Sequence, residues 1–177
     1  SVPVYKGETY YHSLIIVRSD SPIKSVMDLR DKSFAFSDPL SLTGYYYPLF
    51  LLLQNGFSPE NFFSNTMFTF SHNGSINVVL DKLTDAAAVS NLIYGFEIKH
   101  FPELEKKLRV IHQSVPFGIN PVVMNSSADS LLRIQVQKVF LEMKNNAVGQ
   151  QLLKNIGIDK FEIPPPFIYD SASTIYN

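Results

Sequence analysis

Lys32-Ser33-Phe34-Ala35-Phe36-Ser37-Asp38-Pro39-Leu40-Ser41-Leu42-Thr43-Gly44-Tyr45 is a short apolar run that ends in a polar elbow and passes at once into a helix-like segment. A second stretch repeats the pattern, with Met67-Phe68-Thr69-Phe70 running into Ser71-His72-Asn73-Gly74-Ser75. Such short, continuous apolar runs are typical of parallel strands covered on both faces. In an open parallel α/β sheet the elbow after each strand sits at the carboxyl edge, where free N–H groups and the positive ends of helix dipoles face one crevice. That is a place to hold an anion.

Working outward, Thr9 to Arg18 is rich in β-branched and aromatic residues and predicts a strand, broken by Ser19-Asp20-Ser21-Pro22. Ile23 to Leu29 predicts a short helix, and Lys32 to Phe36 a second strand. Ser41 suits an N-cap for a helix over Tyr45 to Gln54 that stops at Gly56, although Pro48 requires its first turn to begin near Tyr46 or Tyr47. Ser58-Pro59-Glu60-Asn61 opens another helix, and Asn65 to Phe70 is a third strand. Ile76, Val79, Leu80 and Leu83 form one apolar stripe at helical period within residues 73–83. Asp85 to Val89 reads as a small-residue strand, Asn91 to Lys99 and Pro102 to Leu108 as helical pieces, and Arg109 to His112 as a fifth strand. This alternation predicts an α/β fold with a five-stranded, mainly parallel sheet and right-handed crossovers, occupying about residues 10–114.

After Ser114 the character changes. Asn120 to Met124 predicts an isolated strand, Ser130 to Asn145 and Ala147 to Ile156 predict amphipathic helices, and Phe161 to Phe167 is a Pro-rich extended tail. These helices have no sheet of their own to cover.

Composition narrows the function classes. The 177 residues are 45% hydrophobic and 18% charged, as in an ordinary globular protein. Fifteen Lys+Arg against sixteen Asp+Glu give a formal charge of −1 with the basic residues scattered, so no nucleic-acid partner is expected. No apolar stretch approaches a membrane span, and Ser1-Val2-Pro3 lacks a leader pattern, which implies a leader absent or already removed. Zero cysteines exclude disulfides and thiolate chemistry. His12, His72, His100 and His112 lack paired ligand spacing, so neither metal nor cofactor is expected. Ser41, His72 and Asp85 can be arranged on paper as a hydrolytic triad, but no G-x-S-x-G elbow fixes their geometry, and catalysis is not the expectation.

An ordered set of short pieces resembles the type II periplasmic substrate-binding proteins, and within them the phosphate/phosphite/phosphonate-binding group of ABC transporters. The pieces are Tyr11-His12-Ser13, Asp20-Ser21-Pro22-Ile23, Asp28-Leu29-Arg30-Asp31-Lys32, Phe34 to Gly44, Gly56-Phe57-Ser58-Pro59-Glu60, Ser71-His72, Asp85 to Val89, and Arg109-Val110-Ile111 leading to Ser114 and Pro121. Family members are longer, with the additional portion at the front. On that layout residues 10–114 are the complete second lobe, while residues 1–9 and 115–177 are a remnant of the first lobe with its closing helices. Either the chain is a fragment, or it is a shortened relative whose first lobe is completed by something else.

The resemblance implies a non-enzymatic solute-binding protein, periplasmic or extracytoplasmic, with or without a lipid anchor. It would capture a small phosphate- or phosphonate-like oxyanion in an inter-lobe cleft for a membrane permease. A sensory input domain of a signalling protein is the alternative reading, and a remnant that binds nothing a third. The implied ligand contacts are Ser41, Leu42, Thr43 and Gly44 in the first elbow, His72 in the second, and Tyr11 and Asn120 near the hinge. A protonatable imidazole at His72 suits an oxyanion. Leu42 stands where the family has threonine, and Leu92 and Asn120 stand where some phosphonate binders have carboxylates. An aminoalkyl phosphonate therefore loses its expected partners, whereas Asn120 still bonds a neutral group.

Overall fold

The computed structural model describes residues 1–176. Strands β1 (Val2–Val4), β2 (Tyr10–Tyr11) and β3 (Ser13–Arg18) lead through a 3-10 turn at Met27–Leu29 to β4 (Ser33–Phe36). A π-helical turn (Leu42–Tyr46) continues into α1 (Tyr47–Gln54), followed by α2 (Pro59–Phe62), β5 (Asn65–Phe68), α3 (His72–Leu80), β6 (Ala86–Ser90), α4 (Asn91–His100), α5 (Leu104–Lys107) and β7 (Leu108–Gln113). Then come β8 (Phe117–Gly118), α6 (Ser130–Glu142) with a 3-10 extension over Met143–Asn145, α7 (Ala147–Ile156), β9 (Lys160–Glu162) and α8 (Asp170–Tyr176). The chain divides into two compact units, one of Ser1–Tyr11 and Pro116–Ser171, the other of His12–Val115 with residues 172–176.

The unit containing His12–Val115 carries the five-stranded sheet, in the order β5-β4-β6-β3-β7. β4 pairs in parallel with β5 and β6, whereas β3 is antiparallel to both β6 and β7. Four strands therefore point one way and β3 alone is reversed, so the sheet is mixed yet mainly parallel in strand direction. The reversal has a positional consequence. Ser13 at the start of β3 lies opposite Ser90 at the end of β6, and Leu14 opposite Gln113 at the end of β7. The chain thus enters and leaves this unit at the edge where β4, β5 and β6 end.

Alternation along the strands explains why both faces of the sheet are buried. Ile15, Val17, Phe34, Phe36, Ala86 and Ala88 point to one side, against Leu29, Leu52, Phe62 and Phe63. Leu14, Ile16, Ala35, Ala87 and Val89 point to the other, against Ile76, Val79 and Leu108. Phe34 is wholly buried and stacks on Phe63 at a centroid distance of 4.5 Å. Each such side chain removed from water contributes about 1.5–3 kcal/mol. The alanines of β6, at the centre of the sheet, let α3 approach with the Ile76 and Val79 side chains filling the space.

Several expected elements are shorter than predicted. Of Ile23 to Leu29 only the single turn Met27–Leu29 is helical, its preceding loop held by Lys24 and Ser25 N–H groups donating to the Asp28 carboxylate. The expected strand over Thr9 to Arg18 is interrupted at His12, where the division between units falls. Residues 120–124 are not a strand. Pro121 has no N–H to give a ladder, and the pairing is made instead by Phe117–Gly118 with Tyr10–Tyr11.

In the other unit, β1 pairs antiparallel with β9 and β2 with β8, each as a two-stranded ribbon. α6 and α7 occupy the expected positions, with α7 capped by the Asn146 side chain and stopped by Gly157 at φ 74°. No residue of α6 is buried, and Leu131, Ile134 and Val139 face solvent.

Candidate functional site

Three helices of the sheet-bearing unit begin at the carboxyl ends of neighbouring strands, and a serine caps each. Ser41 Oγ, after β4, accepts from Gly44 N–H at 2.9 Å, and Ser71 Oγ, after β5, accepts from Gly74 N–H at 2.9 Å. Ser90 Oγ, at the end of β6, accepts from Leu92 N–H at 3.2 Å. The N-cap reading of Ser41 is thus met, and the cap leaves the next donors unused. The main-chain N–H groups of Leu42 and Thr43, and of His72 and Asn73, have no acceptor among the described residues.

The first elbow is closed by short contacts rather than by bulk. Thr43 is 1% exposed, and its carbonyl accepts from the Ser13 hydroxyl. A Cβ on Gly44 would stand 2.5 Å from Ser37 Cβ and Oγ. Glycine is needed there because any side chain would run into Ser37.

His72 opens α3 and ties the strand ends together. Its Nδ1 lies 2.8 Å from Ser37 Oγ, at the end of β4, and receives the Ser90 N–H at 3.2 Å. Ser37 Oγ also bonds the Ala88 carbonyl at 2.8 Å and meets Ser75 Oγ at 3.3 Å, and Ser75 meets Thr69 Oγ1 at 2.7 Å. Burial pushes the His72 pKa below its ordinary value of 6.5, against the opposing pull of the Asp38 carboxylate. Burial thus favours the neutral form of this protonatable imidazole.

Sequence reasoning named His72 but missed Ser37 and Ser90, which contact it, and Ser75 and Thr69, which extend the hydroxyl chain behind Ser37. Their only sequence signal is recurrence at strand ends. It also missed Phe70, which is 71% exposed and held at φ 59°, a conformation uncommon for an aromatic residue and one that turns the chain from β5 into α3.

The charge pattern of this edge is one-sided. The stretches 37–46, 69–75 and 90–94 contain no Lys or Arg, and Asp38 is their single charged residue. Lys32, Lys82, Arg18 and Arg109 lie toward the opposite edge, beside the starts of β4, β6 and β7 and the end of the reversed β3. The donors available to a ligand here are neutral.

The remaining expected residues fall elsewhere. Tyr11 and Asn120 belong to the other unit, where the Tyr11 hydroxyl donates to Asn120 Oδ1 at 3.1 Å. The paper triad dissolves. Asp85 precedes β6 at the amino edge, where its carboxylate accepts from Ser33 N–H and Oγ at 2.9 and 2.8 Å, while Ser41 and His72 are each engaged with other partners. Among the described residues no group of three or more His, Asp or Glu side chains is placed to hold a metal ion.

This fold, with its serine-capped elbows at one sheet edge, is that of the type II periplasmic binding proteins. The structure superposes on a binding-protein component of an ABC phosphonate transporter from Pseudomonas aeruginosa with a TM-score of 0.88 at 23% identity, covering 99% of this chain and 60% of that one. It superposes on PhnD1 from Prochlorococcus marinus, solved in complex with methylphosphonate, with a TM-score of 0.79 at 16% identity, covering 98% of this chain and 68% of that one. In sequence it is 24% identical over 156 residues to the phosphonates-binding periplasmic protein of Escherichia coli strain K12. A profile of the family described as ABC transporter, phosphonate, periplasmic substrate-binding protein matches residues 1–165. The chain belongs to that family, whose members are substrate-binding transport proteins. It spans 46% of the length of the E. coli relative. No helix among the described residues is long and apolar enough to cross a membrane.

Proposed function

We propose that this chain is the ligand-capturing part of the solute-binding component of a phosphonate-type ABC transporter. It holds a small oxyanion at the carboxyl edge of its five-stranded sheet, on the periplasmic side of the membrane, for delivery to a permease. The reading uses residues of the sheet-bearing unit alone. The observation that carries it is the set of unused N–H donors at Leu42, Thr43, His72 and Asn73, beside the caps Ser41 and Ser71, at two adjacent strand ends. Helix N-termini of this kind favour anions through both dipole and directed N–H groups. Family membership supports transport over signalling, and the relative from P. marinus is solved with methylphosphonate.

Leu92 offers no carboxylate to an ammonium group, so phosphate, phosphite and methylphosphonate are the favoured ligands over 2-aminoethylphosphonate. Calorimetric titration of each into the full gene product tests this. A ligand at a hundred times its Kd should also raise the unfolding free energy by about 2.7 kcal/mol. Absence of heat and of thermal shift with all four compounds would end the oxyanion reading, and preferential binding of the aminoalkyl compound would end the ligand assignment.

A further inference from the structure

We infer that the Ser90 main-chain N–H holds His72 as the neutral tautomer with its proton on Nε2, making Ser90 a positioning residue for an uncharged donor. The use of that donor rests on the oxyanion reading above; the tautomer itself does not.

The assignment follows from which atoms can donate. A main-chain N–H has no lone pair to offer, so the Ser90 N–H at 3.2 Å from Nδ1 requires Nδ1 to be the unprotonated nitrogen. The proton of a neutral ring then sits on Nε2, which has no partner among the described residues and is left to donate outward. Ser37 Oγ has a single hydrogen and two acceptors at 2.8 Å, Nδ1 and the Ala88 carbonyl; with the Ser90 N–H aimed at Nδ1, the ring can take that hydrogen only in competition with the carbonyl, so the tautomer rests on the Ser90 N–H. Ser37 is 1% and Ser90 4% exposed, so water does not compete for either bond. An imidazolium would need a proton on Nδ1, pointing at the Ser90 N–H. Of the charged groups around the ring, Asp38 follows β4, and Glu97 on α4 accepts from the Asn73 side chain at 2.8 Å. β6, Ala86–Ser90, brings none. Asp38 favours the charged ring, but the fixed N–H and burial oppose it.

A site of neutral donors reads the number of acceptors a ligand presents. A fully ionised phosphonate has acceptors only, whereas its monoanion carries an O–H that no donor can receive. Affinity should therefore rise with pH through the ligand's second ionisation. Were an imidazolium required, affinity would fall over the same range.

The test reads the two levels separately. In the ligand-free protein labelled with 15N-histidine, long-range 1H–15N correlation near neutral pH should show His72 with an unprotonated Nδ1 and a protonated Nε2, assigned by loss of the signal in His72→Gln. Ser37→Ala should leave Nδ1 unprotonated, since the Ser90 N–H remains, while circular dichroism stays native-like. A protonated Nδ1 in the wild type overturns the inference whatever the ligand does. Calorimetry with methylphosphonate from about pH 6 to about pH 8 should show tightening. Binding that weakens as pH rises also overturns it. His72→Gln, whose amide can donate from the Nε2 position, should retain affinity within about tenfold, whereas His72→Ala should lose about 10- to 100-fold. Equal losses in the two variants would refute the donor role. The expected tautomer with no binding of any oxyanion would instead refute the functional reading.

Discussion

Gly44→Ala sets a steric cost against an intrinsic gain, and the structure says which should win. Alanine is favoured over glycine inside a helix by about 0.8–1.0 kcal/mol, so on propensity alone the variant should be more stable. The new methyl, however, would sit 2.5 Å from Ser37 Cβ and Oγ and 3.0 Å from Ser41 Oγ. The closest of these is about an ångström inside the optimal separation of non-bonded carbons. Ser37 cannot swing aside cheaply, since it is buried at the end of β4 and its hydroxyl meets His72, Ser75 and the Ala88 carbonyl. Overpacking of this kind costs about 1–3 kcal/mol, and the two rigid contacts place it at the upper end. The net loss should be about 1–2 kcal/mol, a fall in Tm of roughly 2–8 °C at this chain length. Gly74→Ala is the matched control. It occupies the equivalent position in α3, but its methyl would meet Ser71 Oγ at 2.9 Å, Thr69 Cβ at 3.1 Å and the Thr69 carbonyl at 3.2 Å, none as close as the Ser37 contacts, so its loss should be the smaller of the two. Thermal unfolding followed by circular dichroism decides the matter. A Gly44→Ala protein as stable as the wild type, or more so, would mean that the first elbow is looser than described and that Ser37 is free to move.

Other perturbations separate packing from site chemistry. Burial holds His72 and His112 below their ordinary pKa of 6.5, so the unfolded chain binds more protons in the window just beneath that value. Stability should then fall as pH drops below that value, and His72→Gln or His112→Gln should flatten the slope of Tm against pH. Ser71→Ala removes the cap of α3 and should cost about 1 kcal/mol in urea unfolding, while binding of methylphosphonate weakens further than stability accounts for. Phe34→Ala empties the centre of one face of the sheet and should cost about 3–5 kcal/mol without altering the His72 tautomer.

The fold was legible where residues have one physical reason to be where they are. Continuous apolar runs such as Phe34-Ala35-Phe36 and Ala86-Ala87-Ala88 have few homes except strands covered on both faces, and the structure buries all six. Ser41 announced a cap that the structure contains, whereas the matching cap at Ser71 was not read from the sequence. Direction was not legible. Leu14 to Val17 would make the same apolar run pointing either way, and β3 is reversed because its start pairs with the ends of β6 and β7. Tyr11 and His12 carry no breaker between them, yet the chain passes there from one unit to the other. Within the site, Ser37, Thr69, Ser75 and Ser90 were invisible because serine and threonine are common in loops. Only the pairing of β4 with β5 and β6 brings them to one histidine.

A site without a cation should respond to salt differently from one that has one. Each helix N-terminus is equivalent to roughly half a positive charge, so two adjacent ones supply about one charge in total without a long side chain to order. Freezing a lysine for the same purpose would cost up to about 2 kcal/mol of rotamer entropy. The dipoles also act through directed N–H groups at contact distance, and their field falls off within a turn, whereas a flexible surface ammonium acts through space and is screened over about 8–10 Å at moderate salt. The stretches 37–46, 69–75 and 90–94 hold no Lys or Arg, and Asp38 would repel an approaching anion. Raising potassium gluconate, a bulky-anion salt, from about 0.05 M to about 0.5 M should therefore change the Kd for methylphosphonate by less than about threefold, and any weak trend should be toward tighter binding as Asp38 is screened. A steep loss of affinity with salt would show that a cation from elsewhere carries the ligand. In that case the neutral donors of the two elbows would position the oxyanion without supplying most of its binding free energy.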